Sequence, residues 1–475
     1  MQPNEGKQSI EMMGADSFNG SRTSAIKGTP KYESEEAVES WVLESIRALS
    51  LAEDFIRPGD RVVLKPNWVK EHDERFPGPD RWEHVVTHPF VIRAVIRWVA
   101  RFLEGQGNIV ICDAPQTDSS FQKIRLYCRL DEVVGACRQE FPGLEIQLLD
   151  LRPEEWCAVD GVTVSKTELP GDPHGMTHVR LNENSEFVGF SGLGNLFGAS
   201  YNMEETNEKH SGNTHEYQLC RTPMDADVFI NIPKLKTHKK VGVTCALKNL
   251  VGINANKNWL PHHTEGAPEQ GGDQFPKLTR KTRMEHSWMG AAKRFLRNRR
   301  TLSRLFVPLK KLGRLYFGDT QKVVRSGNWH GNDTCWRMVL DLNKCLFFYN
   351  GAGERRKKPM RYLAVVDGII GGEGNGPMAP DPKESGVIIC GTHPAAVDCA
   401  AAAIMGFDRD RIRLLNHAFQ IDRMNFVSFT SDSVQIHSNH KPWDGPLNGL
   451  TEHCGFRPHF GWLGAIETPT QELTA

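Results

Sequence analysis

The 475-residue chain has no CxxC pair, no excess of charge of either sign, and no run near the roughly 20 apolar residues of a membrane span. Its eleven cysteines are scattered and odd in number. Iron-sulfur and structural zinc sites need closely spaced Cys or Cys/His ligands, so no iron-sulfur cluster is expected, and dispersed thiols fit a cytoplasmic protein. Fifty-eight basic residues balance fifty-eight acidic ones. That balance, with no nucleic-acid module signature, makes nucleic acid an unexpected partner and confines any electrostatic argument to local clusters. The first residues are polar and lack the apolar core of a signal peptide; residues 1–33 read as a mobile polar tail.

What the chain does have is alternation. Ser34, Glu35 and Glu36 open an amphipathic helix with an acidic first turn. Apolar strands then alternate with helices: Arg61–Leu64, a helix from Pro89 to about Glu104, Asn108–Cys112, a helix Asp131–Glu140, and Leu144–Leu149. A polar middle, about 170–222, precedes a strand that begins at Val228. Further strands Tyr362–Val366 and Val387–Cys390 follow, the second leading into a helix at Pro394, where proline suits the first helical position. This order predicts an α/β fold, a doubly wound, mostly parallel sheet with helices on both faces. The expected partition is a tail (1–33), a first part of the body (34–270), a basic helical insertion (271–327) and a second part of the body (328–475).

The insertion is basic in the extreme. Between Lys277 and Arg325 stand fifteen Lys or Arg and two acids, interleaved with leucine and phenylalanine. Two readings stand side by side: helices with a solvated basic face packed on the body, and a stripe over 289–317 that docks on an anionic membrane surface. The second would make the protein peripheral to the membrane.

Polar groups that carry chemistry fall at strand ends, where open α/β sheets bind ligands. Lys65 and Asn67 follow the first strand around the rigid Pro66. Asp113 closes another. The segment DVFINIPKLKTHKK supplies Asn231, Lys234, Lys236, His238, Lys239 and Lys240, and ALKN supplies Lys248 and Asn249. Such a density of cations predicts an anionic small molecule, phosphorylated or carboxylated, held by Lys65, Lys234, Lys236 and Lys248 and oriented by Asn67, Asn231 and Asn249. In DGIIGGEGNGP, Asp367 precedes Gly371, Gly372, Gly374 and Gly376, whose backbone could approach a ligand closely or form a hairpin. Neither a P-loop nor a dinucleotide fingerprint is present.

Asp113, Asp367 and His238 are the expected acids or bases. They are also chemically able to ligate a divalent metal, though without a diagnostic spacing. Lys234, Lys236 and His238 share one face of an extended segment, and their mutual repulsion should keep His238 neutral near pH 7. Asp398, inside the alanine-rich helix after His393, needs a lysine or backbone donor, with Lys248 and Lys236 the first candidates. Trp329, Asn332, Asp333, Trp336 and Arg337 could form a ligand wall.

PNWV, DADVFINIPKLKTH, ALKNLVGI, DGIIGGEGNGP and VDCAAAAIMG together resemble the family catalogued as domain of unknown function 362, from about Val62 to Phe407. Many members of that family carry a ferredoxin-like cysteine module. This chain has none, so the resemblance does not extend to electron transfer. It implies the α/β fold and leaves the reaction unassigned.

Overall fold

The structure is a computed structural model that describes residues 20–159, 162–200, 202–279, 322–420 and 423–469, with the side chains of 158, 159 and 162–164 undescribed. Eleven strands make one sheet: β1 (Arg22–Lys27), β2 (Arg61–Pro66), β3 (Asn108–Asp113), β4 (Glu145–Asp150), β5 (Val228–Ile232), β6 (Lys234–His238), β7 (Gly242–Thr244), β8 (Arg361–Asn375), β9 (Ala379–Gly391), β10 (Gln435–Ser438) and β11 (Gly445–Pro446). The order is β11-β10-β1-β9-β8-β5-β2-β3-β4, with β6 beside β8 and β7 beside β6. From β8 through β4 every pair on this path is parallel, while β9 runs antiparallel between β8 and β1.

Helices cover both faces, so the sheet is doubly wound and mostly parallel. The apolar stripes of α1 (Glu35–Ala48), α2 (Pro89–Leu103) and α3 (Leu130–Glu140) pack on one face. On the other lie the short α4 (Ala246–Asn249), α5 (Cys335–Phe348) and α6 (Pro394–Met405). Local chemistry explains the helix starts. The Ser34 hydroxyl accepts from Ala37 N at 3.2 Å, and His88 and His393 cap α2 and α6 immediately before Pro89 and Pro394.

Several expectations change. Arg22–Lys27 is a buried strand between β9 and β10, so the tail expected over 1–33 does not hold there; a six-residue strand too polar to stand out is stabilised by pairing with β9 and β10. The basic stripe 289–317 lies outside the described residues. At the insertion's near edge Asp273 and Gln274 are buried in the body, which moves the boundary past 271. The glycine run is a strand rather than a ligand loop, since β8 continues to Asn375 and pairs with β9 through it.

Pro233 is the hinge that builds the site. It ends β5, and its carbonyl accepts from Asp367 N at 2.9 Å, so the chain resumes as β6 along the same β8. β6 thus extends the sheet past the carboxyl ends of β2 and β3. Chain order reverses here: β2 has β3 on one side and β5 on the other, a switch point of the kind that opens a crevice.

Candidate functional site

Two sets of polar side chains meet at this switch point, one closed and one open. In the closed set, Lys65 Nζ lies 2.8 Å from Asp113 Oδ1, with both side chains buried. The Asp113 Oδ2 accepts from Trp68 N at 2.8 Å. Asn249 Oδ1 accepts from Lys65 Nζ at 3.3 Å and from Asn67 Nδ2 at 2.8 Å, and Asn249 Nδ2 donates to Asn231 Oδ1 at 2.7 Å. Asn231 Nδ2 donates in turn to Ala246 O and to the Tyr362 hydroxyl, both at 2.8 Å. Lys236 Nζ donates to Asn67 Oδ1 at 2.7 Å and to Val85 O.

Lys234 belongs to the same set. Its Nζ reaches Asp367 Oδ2 at 2.7 Å and the Tyr32 hydroxyl at 2.6 Å, and Tyr32 donates to Asp367 Oδ1 at 2.7 Å. His88 N donates to Asp367 Oδ2 at 2.8 Å, and the Tyr32 and His88 rings stack at 3.6 Å. Burial pulls the Lys234 ammonium below its ordinary value against the charge of Asp367, and pushes the Tyr32 phenol up.

This arrangement reassigns most expected ligand holders. Lys65 and Lys234 are neutralised by protein carboxylates, and Lys236 is tied to neutral oxygens, so none is left for a ligand. Asp113 and Asp367 are engaged by lysines and backbone N–H groups rather than free as acids, bases or metal ligands. Among the described residues no group of three or more His, Cys, Asp or Glu could hold a metal ion. The glycines serve packing: an added Cβ at Gly376 would lie 2.0 Å from Thr237 O, at Gly371 2.8 Å from Phe456 Cζ, and at Gly372 2.9 Å from Lys236 Cγ. At Gly374 a positive φ of 71° is the constraint. Asp398 takes backbone donors, Ala246 N at 2.7 Å and Leu247 N at 3.1 Å, instead of Lys248 or Lys236; burial lifts its carboxyl to about 7. The expected wall is structural too, with Trp329 Nε1 donating to Asp273 O and Asp333 paired with Arg337 and Arg413.

The open set lies beyond it. Lys248, next to Asn249 on α4, is 6% exposed, and its Nζ makes no hydrogen bond or ion pair among the described residues. Around it are His238 at the end of β6, Lys239 and Lys240 in the turn to β7, and His262. Lys239, Lys240 and His262 are partly exposed, which connects the cluster to solvent. Burial, then the charge of Lys239, lowers the Lys248 ammonium against a counter-influence from Cys335. Burial carries Lys240 down to about 8. Its Nζ donates to Ser326 O and, at 3.4 Å, to His262 O.

The two histidines present opposite faces. His238 Nδ1 accepts from Lys240 N at 3.0 Å and Val241 N at 3.3 Å, so in the neutral ring the proton sits on Nε2. His262 Nδ1 donates to Leu260 O at 2.8 Å, which leaves an acceptor lone pair on Nε2. Burial first, then Lys248 and its neighbours, holds both rings neutral. His238 is therefore a fixed donor rather than the expected base, and His262 is the ring with a free lone pair. Sequence reasoning did not select His262; the only signal was its place in Pro261-His262-His263, just after the lysine motifs. A separate groove of about 400 Å³ is lined by Trp82, His88, Phe90 and Tyr127. Its charged members, Glu35, Glu132, Arg93 and Arg129, are two of each sign.

A thylakoid-associated protein of Synechocystis sp. is 21% identical over 355 residues, 75% of this chain and 66% of its own length. The chain thus spans just under two thirds of that relative. The lactate racemase apoprotein from Thermoanaerobacterium thermosaccharolyticum overlaps 74% of this chain and 51% of its own at 12% identity, with a TM-score of 0.29. Residues 172–403, which contain β5, β6, α4, β8, β9 and all five members of the open cluster, match the model of the family described as Domain of unknown function (DUF362).

Proposed function

We propose that the protein is an enzyme acting on an anionic small molecule, phosphorylated or carboxylated, at the open cluster. The observation that carries this is Lys248: its ammonium is largely desolvated at 6% exposure and has no protein partner among the described residues, which is costly, and a bound anion would offset that cost. Lys239, Lys240 and Lys248 hold the anion, His238 Nε2–H donates to it, and His262 Nε2 takes a proton from a neighbouring substrate atom. The neutral ring has its lone pair available at pH 7, and a bound anion would offset the cationic field that, after burial, depresses its basicity.

The test is hydrogen exchange. With a panel of phosphorylated and carboxylated metabolites in D2O, the parent protein should incorporate deuterium into at least one compound that it binds. His262→Asn should bind that compound with affinity near the parent's and exchange nothing. Compounds that bind but never exchange would leave an anion-binding module and remove the enzyme reading.

A second reading has one observation behind it, the thylakoid association in the printed name of the Synechocystis relative. In it the same anion site belongs to a protein that docks on an anionic membrane surface through 289–317. No helix among the described residues is long and apolar enough to cross a membrane, so such contact would be peripheral.

A further inference from the structure

We infer that the anion is a phosphoryl group, doubly charged, rather than a carboxylate. The inference rests on the anion-site reading above and narrows it. Lys239 and Lys240 directly follow His238 in the turn to β7, and Lys248 stands on α4, which follows β7, the strand that pairs with β6 at His238 and Gly242; all three ammonium groups act on the His238 ring. Two acids offset them. Glu74 acts on Lys239, and burial pushes its own carboxyl up, towards the neutral form. Asp273 acts on Lys240 but already accepts from Thr264 N at 2.7 Å, Thr334 Oγ1 at 2.6 Å, and Thr334 N and Asp333 N at 2.9 Å. Three of these bonds go to Oδ2 and one to Oδ1, and neither acid is paired with Lys248 among the described residues.

Charge and donor number then discriminate. A carboxylate brings one charge and two coplanar oxygens, too little for three ammonium groups of which one, Lys248, is unpaired among the described residues. A phosphoryl group brings about −1.5 to −2 charges at pH 7 and three diverging acceptor oxygens. The donors are likewise more than two in number, and they come from the end of β6 with the turn after it (His238 Nε2, Lys239 and Lys240) and from α4 (Lys248). Free phosphate and a phosphate ester share this chemistry.

Calorimetric titration of the full chain at fixed ionic strength tests it, with inorganic phosphate and glycerol phosphate against acetate and the dicarboxylate malonate. The two phosphoryl ligands should bind at least tenfold more tightly than either carboxylate, and binding should weaken below about pH 6 as the second phosphoryl charge is lost. If glycerol phosphate exceeds inorganic phosphate the ligand is an ester; the reverse order points to free phosphate. Lys248→Met should reduce phosphate affinity at least tenfold, while Lys123→Met, an exposed site, should not change it. Lys239→Met, at the partly exposed rim, is read in the same way should Lys248→Met fail to fold. Acetate or malonate binding as tightly as phosphate, with the same dependence on Lys248, would overturn the phosphoryl assignment and leave the anion site standing. Binding of no oxyanion, or parent-like phosphate binding by the folded variants, would overturn both.

Discussion

Replacing Lys240 by methionine should change stability with a sign that depends on pH. In the folded protein its ammonium titrates at about 8 against an ordinary 10.5, because burial outweighs Asp273 and Cys335 while Lys239 and Lys248 add repulsion; His262 and His263 also touch it. At about 1.4 kcal/mol per unit, the charged lysine destabilises the unliganded fold by about 3 kcal/mol at pH 7. Methionine removes that term and also the hydrogen bonds to Ser326 O, His262 O and His263 Nδ1, the last two long, together about 2 kcal/mol. Lys240→Met should therefore be about 1 kcal/mol more stable than the parent at pH 7 without anion. The sign reverses on the alkaline side. Between the folded value and 10.5 the unfolded lysine holds the proton more tightly than the folded one, so parent stability gains with rising pH relative to the variant. By pH 9.5 that gain should reach about 2 kcal/mol and make the variant the weaker of the two. Urea unfolding of both proteins at the two pH values, followed by tryptophan fluorescence in phosphate-free buffer, measures it. A stability difference that does not change with pH would refute the placement of Lys240 in a desolvated cationic cluster.

Gly252→Ala should destabilise the protein by about 3–5 kcal/mol in urea unfolding, because a Cβ there would lie 1.9 Å from Asp113 Oδ1 and 2.6 Å from Lys65 Nζ and force the buried pair apart. A parent-like midpoint would mean that the pair is not fixed as described. For the membrane reading, the full chain should cosediment with anionic but not neutral liposomes, less so as salt rises, and deletion of 289–317 should abolish this. Equal binding to neutral vesicles would point to hydrophobic adhesion instead.

The frame of the fold was legible because its signals are local. Apolar runs at Arg61, Asn108 and Val228, and proline after a capping histidine at His88 and His393, need no distant partner to be read. The site was legible only in outline, since the state of each lysine depends on residues far away in sequence. Lys65 meets Asp113, Lys234 meets Asp367 and Tyr32, and the Lys248 ammonium meets no polar partner among the described residues, yet all three stand at similar motif positions. Tyr32 fell within residues read as a tail, and the strand that anchors that stretch is too short and polar for a period of two to reveal. The glycines of β8 misled for a related reason. A glycine that admits a ligand and one that admits a neighbouring strand look alike until β6 is seen running beside it.

The closed network and the open cluster are two halves of one device, because the same short elements carry both. On β6, Lys236 is bound into the asparagine network while His238, two residues on, lies under the influence of Lys239, Lys240 and Lys248. On α4, Asn249 is held by Lys65, Asn67 and Asn231, while Lys248 beside it is unpaired. Asp398 fixes the start of that helix through two backbone N–H groups. A flexible lysine on a loose loop would turn to water rather than remain buried without a partner. Anchored on both flanks by saturated polar contacts, Lys248 has little freedom to leave, and its charge is kept facing the cluster. The internal ion pairs are then best understood through position rather than stability, since a buried pair contributes little net energy over an apolar one. On the proposed reading, what they supply is a rigid wall on which three cations and a fixed imidazole N–H are held for an anion.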